Sequence, residues 1–179
     1  MKLEDLVNSI VRHSGEAPDE KLEAFEEACE INLSEIYKQL VRKTDGAYFG
    51  DVYIDCYNPE TGGKHTLDVG FYAYCADAPP YNQIQRIQKM WEPLPDNLTI
   101  FASSGGGDFI CFDNRVKRKK EPKIVVALHD SFDKEGSPLV CPVAKNFEEF
   151  VQKLYIHIDP EELEYREKLK TTSGLSSSS

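Results

Sequence analysis

Residues 3–12 place Leu3, Leu6, Val7, Ile10 and Val11 three or four positions apart, while Glu4, Asp5, Asn8 and Arg12 fall on the other side. That is the spacing of a helix with one apolar stripe. Ser14-Gly15 stops it. Ala17-Pro18-Asp19-Glu20 opens a second helix, with proline in its first turn and acids complementing the dipole. Leu22, Phe25, Ala28 and Cys29 mark its inner face. Ser34 is placed to cap a third helix with Ile36, Tyr37, Leu40 and Val41 inward, ended by Asp45-Gly46.

The period then switches from helical to alternating. Residues 47–57 (AYFGDVYIDCY) read as a strand, 58–64 as a turn and 66–75 (TLDVGFYAYC) as the returning strand. Ile84, Ile87, Gln88 and Trp91 predict a helix over 82–91. Residues 98–102 and 108–113 read as paired strands around a glycine-rich reversal, followed by a basic hairpin tip at 115–123 and a strand at 124–129. A short extended piece at 139–143 precedes a helix capped by Asn146, and a charged helix is expected at 161–170. The expectation is an α+β fold. It has N-terminal helices, a central, mostly antiparallel sheet of about five to six strands, and C-terminal helices packed on it. Length agrees with one domain, placed at 1–170, with a disordered Ser-rich tail at 171–179.

Charge narrows the function classes. There are 31 acids against 21 Lys and Arg, a net −10, the wrong sign for a nucleic-acid binder that must displace counterions from phosphates. The basic charge is concentrated, because residues 115–123 (RVKRKKEPK) hold six bases and one acid. No apolar run approaches a membrane span, and the first residues lack an apolar signal region, so a cytoplasmic protein is expected. The five cysteines (Cys29, Cys56, Cys75, Cys111, Cys141) lack paired ligand spacing and read as small core hydrophobes, with no metal or cofactor expected.

Candidate chemistry is sparse. The SSGGGD segment at 103–108 lacks the lysine and hydroxyl of a phosphate loop and puts Asp108 where phosphate would be repelled. It reads as a strand reversal. His13, His65, His129 and His157 are scattered, with His129 at a strand end. The stretch 48–81 is different. It holds six of the nine tyrosines and five acids against one lysine. Alternation must turn part of this set outward, and tyrosine beside acid suits capture of a basic protein partner. The candidate partner-binding residues are Asp51, Tyr53, Asp55, Tyr57, Asp68, Tyr72, Tyr74 and Asp77, with Asp108 added from the glycine turn.

Three phrases carry a family resemblance. EKLEAFEEACEINLSEIYKQLVRKTDGAYFG, LPDNLTIFASSGGGDFICFDNR and VAKNFEEFVQKLY, in that order over about residues 20–155, resemble the opening, central and closing phrases of the SUKH superfamily, the domain of the fungal Smi/Knr cell-wall regulators. The resemblance implies a non-enzymatic binding domain. Many bacterial members are immunity proteins against polymorphic toxins, often nucleases, and an acidic protein can occupy a basic nuclease cleft. The expectation is therefore a monomeric immunity protein that occludes a cognate toxin domain, contacting neither nucleic acid nor membrane. An intracellular scaffold or regulator is the alternative. A hydrolase using Asp108, Asp113 and His129 is a third, weaker reading.

Overall fold

The computed structural model describes residues 1–90, 95–115 and 121–158. Three helices come first: α1 (Leu3–Asn8), α2 (Asp19–Cys29) and α3 (Glu35–Thr44). Strands β1 (Tyr48–Tyr57) and β2 (Lys64–Phe71) follow, then α4 (Ile84–Met90). Strands β3 (Leu98–Ser103), β4 (Phe109–Asp113), β5 (Lys123–Phe132) and β6 (Pro138–Ala144) lead to α5 (Phe147–Lys153) and a two-residue strand, β7 (Tyr155–Ile156). All strands join one sheet in the order β6-β5-β4-β3-β2-β1-β7, and every pairing of neighbours is antiparallel. The chain meanders from β1 to β6, then α5 carries it back across the sheet to lay β7 on the free edge of β1. The sheet curls enough to bring β1 and β6 into contact.

The α+β class and the element order agree with the sequence reading, and the strand count rises to seven among the described residues. Strand β7 escaped notice because two residues carry no period. The expected helix at 161–170, the tail, Trp91 and the centre of the basic segment lie outside the described residues.

Two boundaries moved for identifiable reasons. Helix α1 ends at Asn8, where the Ser9 hydroxyl bonds back to the Asp5 carbonyl at 2.7 Å. The chain then runs beside β1, with Val11 N–H bonding the Tyr48 carbonyl at 2.9 Å and Tyr48 N–H the Arg12 carbonyl at 2.9 Å. Val11, expected inside, is 68% exposed. Strand β2 stops at Phe71 because Asp45, fully buried after α3, captures the next stretch: its carboxylate accepts the Tyr74 N–H at 2.9 Å and the Cys75 N–H at 2.8 Å. Burial pushes the Asp45 carboxyl up from its ordinary value, and those N–H groups pull it back. Gly46 allows the turn: its φ is +63°, and a Cβ there would sit 2.8 Å from the Ala73 Cβ.

The core lies between the helices and one face of the sheet. Its centre is Tyr37, fully buried on α3 and ringed by Phe71, Phe101, Phe112 and Phe147 at centroid distances of 4.9–6.1 Å. The edge-on geometry of most of these pairs adds to burial. The Tyr37 and Tyr74 hydroxyls bond each other at 3.0 Å, so neither is left unsatisfied. Cys56, Cys111 and Cys141 are buried among apolar side chains, and burial pushes the Cys56 thiol up to about 12.

Candidate functional site

Alternation sorts the tyrosines and acids of 48–81 between two faces. On β1, Val52, Ile54 and Cys56 point into the core, which leaves Asp51, Tyr53, Asp55 and Tyr57 on the outer face. On β2, Leu67, Val69 and Phe71 are buried, while Thr66, Asp68 and Gly70 face outward. Register sets Tyr53 opposite Asp68, Asp55 opposite Thr66, and Tyr155 of β7 on the other side of Tyr53.

This outer face is ordered by its own contacts. Asp55 accepts from the Thr66 hydroxyl, the Tyr155 hydroxyl and the Lys64 ammonium, each at 2.8 Å. Burial raises the Asp55 carboxyl, but the donors from Lys64, Thr66 and Tyr155 together prevail and hold it below its ordinary value. Tyr53 stacks on Tyr155 at 6.3 Å and meets the edge of His157 at 5.9 Å. Asp68 accepts the Gly105 N–H at 2.8 Å, which ties the glycine-rich reversal down onto the sheet.

At one end of the face the sheet opens into a cleft of about 430 Å³. Its floor is a cross-strand row, Tyr48–Gly70–Ser103, in register over β1, β2 and β3. The shift of register between Tyr48 and Tyr53 keeps both on the outer side, and Gly50 at φ +72° supplies the bulge. Arg12–Ser14 and the Asp77–Asn82 segment, with its short 3-10 turn at Pro80–Asn82, complete the lining and meet where Asn82 Nδ2 donates to the Ser14 hydroxyl at 3.4 Å. Arg12 lies over the Tyr48 ring, 5.0 Å from its centroid. Tyr48, Tyr81 and Val11 are 37%, 75% and 68% exposed, and Val11 approaches the β1 bulge beside the cleft.

The sequence-derived candidates therefore separate. Asp51, Tyr53, Asp55, Tyr57 and Asp68 share the outer face, with Tyr57 at the end of β1 away from the cleft, and Asp77 is exposed on the cleft wall. Tyr74 does not join this exposed surface, and Tyr72, though buried, lines the cleft. Tyr72 is largely covered, and Tyr74 sits in the core against Phe25 and Tyr37. They differ from expectation because the chain leaves the alternating strand after Phe71, so strand parity no longer applies. Asp108 is also buried; its carboxylate accepts the His129 N–H at 3.0 Å and contacts the His129 Nδ1 at 2.9 Å.

That contact brings two members of the hydrolase trio together. The third, Asp113, pairs with Arg115 at the far end of β4, on the order of 15 Å away along the strand. Asp108, His129 and Asp130 offer ligand atoms within 4.8 Å of one another, but exposed acidic groups commonly cluster this way without an ion. The Asp108 hydrogen bond raises the His129 pKa.

Arg12, Gly70 and Tyr155 were not singled out from sequence, and Ser103 only as part of the strand reversal. Gly70 did carry a signal, since a glycine inside an alternating strand marks a place where something approaches the backbone. Tyr155 carried none. Among the described residues no helix is long and apolar enough to cross a membrane.

No curated protein and no solved structure matches the chain. The sequence model of the family SUKH_6, described as SMI1-KNR4 cell-wall, matches residues 19–151, from the start of α2 into α5. That span contains the core helices, six of the seven strands and most of the cleft, and the chain belongs to this SUKH family.

Proposed function

We propose that the protein is an immunity protein: it binds a cognate toxin domain in the cytoplasm and occludes its active site, using the cleft and the adjoining outer face of β1, β2 and β7. The observation that carries this reading is the exposed Val11, Tyr48 and Tyr81 around a concave site floored by Gly70. Exposed apolar and aromatic side chains gathered around a pocket are the composition of an interface centre. The aspartates beside them, within a chain of net −10, supply a field that speeds capture of a basic partner.

The test is co-expression with the toxic C-terminal domain encoded next to the gene, scoring survival and co-purification. Rescue with a stable complex is expected, and association should slow markedly as salt rises toward molar, where screening acts over ~3 Å. A complex with a flat salt response removes the electrostatic part. Absence of rescue favours a scaffold or regulator, the reading closest to the cell-wall description of the family.

A further inference from the structure

Near the cleft, two acids of the outer face already have partners. Asp55 has three donors, and Asp68 holds the Gly105 N–H. Elsewhere Lys38 pairs with Glu26, Arg42 with Asp19 and Glu35, and Arg115 with Asp113. Arg12 differs from these three and stands at the cleft itself. Among the described residues no carboxylate lies within ion-pair distance of it, in a chain with ten more acids than bases.

Arg12 is nevertheless held in place. Its backbone bridges to Tyr48, and its guanidinium rests over the Tyr48 ring. A cation fixed in this way loses less freedom when it meets an anion, and its planar fork suits a carboxylate.

The floor beneath it is bare for no reason internal to the fold. Gly70 does not adopt a positive φ, and a Cβ there would meet only ordinary contacts, Tyr48 Cδ2 at 3.6 Å and the Ser103 carbonyl at 3.9 Å. A Cβ at this position is therefore tolerated, and a longer side chain would extend into the cleft. Glycine keeps it open.

Resting on the partner-binding reading above, we propose that the cleft receives an acidic side chain of the partner protein, its carboxylate paired with Arg12 and its stem lying over Gly70. The partner surface is then mixed: bases face the aspartates of the outer face, and one acid enters the cleft. Asp77, which also lines the cleft, takes a hydrogen-bond donor beside that acid.

The experiment needs no toxin. Capped tripeptides Gly-Glu-Gly, Gly-Gln-Gly and Gly-Arg-Gly are titrated at low ionic strength into the full-length, isotope-labelled protein, and backbone amide shifts are followed. The Glu tripeptide is expected to saturate in the millimolar range, moving the Gly46, Gly70 and Ser103 amides. The isosteric Gln tripeptide and the Arg tripeptide should bind at least roughly tenfold more weakly, a difference of about 1.4 kcal/mol. Arg12→Gln should abolish the preference for Glu over Gln, Arg12→Lys should keep part of it, and Gly70→Leu should block all three. Arg12 is exposed, so its variants keep the test open even if Gly70→Leu misfolds. Equal binding of the Gln or Arg tripeptide, or no saturable shift at the cleft, overturns the proposal. Rescue in co-expression combined with such a failure would leave the immunity reading standing without this anchor; tripeptide binding without rescue would do the reverse.

Discussion

Two sets of tyrosines and aspartates lie on opposite sides of one sheet, and they are used in opposite ways. On the inner side, Tyr37, Tyr74 and Asp45 are buried and meet one another's needs: hydroxyl to hydroxyl, carboxylate to backbone N–H. On the outer side, Tyr48 and Tyr53 lie among Asp55, Asp68 and Arg12, partly exposed. The residue types are the same. Burial is what separates a structural network from a contact surface, because a buried polar group is costly without its partner and an exposed one is not.

The sharpest test of this contrast is Asp45→Ala. It strands two buried N–H groups and frees the 72–75 segment, so a loss of about 3 kcal/mol or more is expected in denaturant unfolding. A loss under ~1 kcal/mol would mean that water replaces the carboxylate and that the inner set is not a closed network. Tyr37→Phe keeps the ring cluster and removes one hydroxyl bond. The Tyr74 hydroxyl then lacks its partner, for an expected cost of about 1–2 kcal/mol.

On the outer side, Tyr81→Ala and Tyr53→Ala should each weaken partner binding by more than ~1 kcal/mol while changing stability little, at most about 0.5 kcal/mol for Tyr81. If binding is unmoved while stability falls, the outer tyrosines belong with the structural set. Tyr72→Ala cannot make this distinction, since its ring is buried.

The smallest effect lies at His129. Its pKa is raised in the folded protein by Asp108, so the native state holds the proton more tightly than the unfolded chain. The stabilisation is fully present below the ordinary histidine value near 6.5 and is lost as pH rises through the raised value. Melting temperature followed across that window should show the step in the native protein and not in Asp108→Asn. A step that persists in the variant would assign it to another group.

Much of the fold was legible because its signals are local. The Ser34 cap accepts the Tyr37 N–H at 3.2 Å and Asn146 accepts the Glu149 N–H at 2.8 Å, each where a capping residue precedes an apolar stripe. The alternation of β1 likewise placed Asp51, Tyr53 and Asp55 on one face. The cleft was less legible because its parts are remote in sequence: Arg12, Tyr48, Gly70, Tyr81 and Ser103 meet only through register and a long excursion after β2. Tyr72 and Tyr74 were misplaced for the same reason, since the capture of their segment by Asp45 spans about thirty residues.

The return of the chain after α5 has a consequence for synthesis. Tyr155 and His157, among the last described residues, complete a surface begun at Asp51 to Asp55, and the Met1 amine bonds the Gln152 carbonyl at 2.7 Å. A ribosome delivering this protein exposes β1 and β2 long before the strand that finishes their edge. This outer face is therefore finished only once residues 155–157 have emerged, and a nascent chain halted before residue 155 would carry the fold's meander without its finished face.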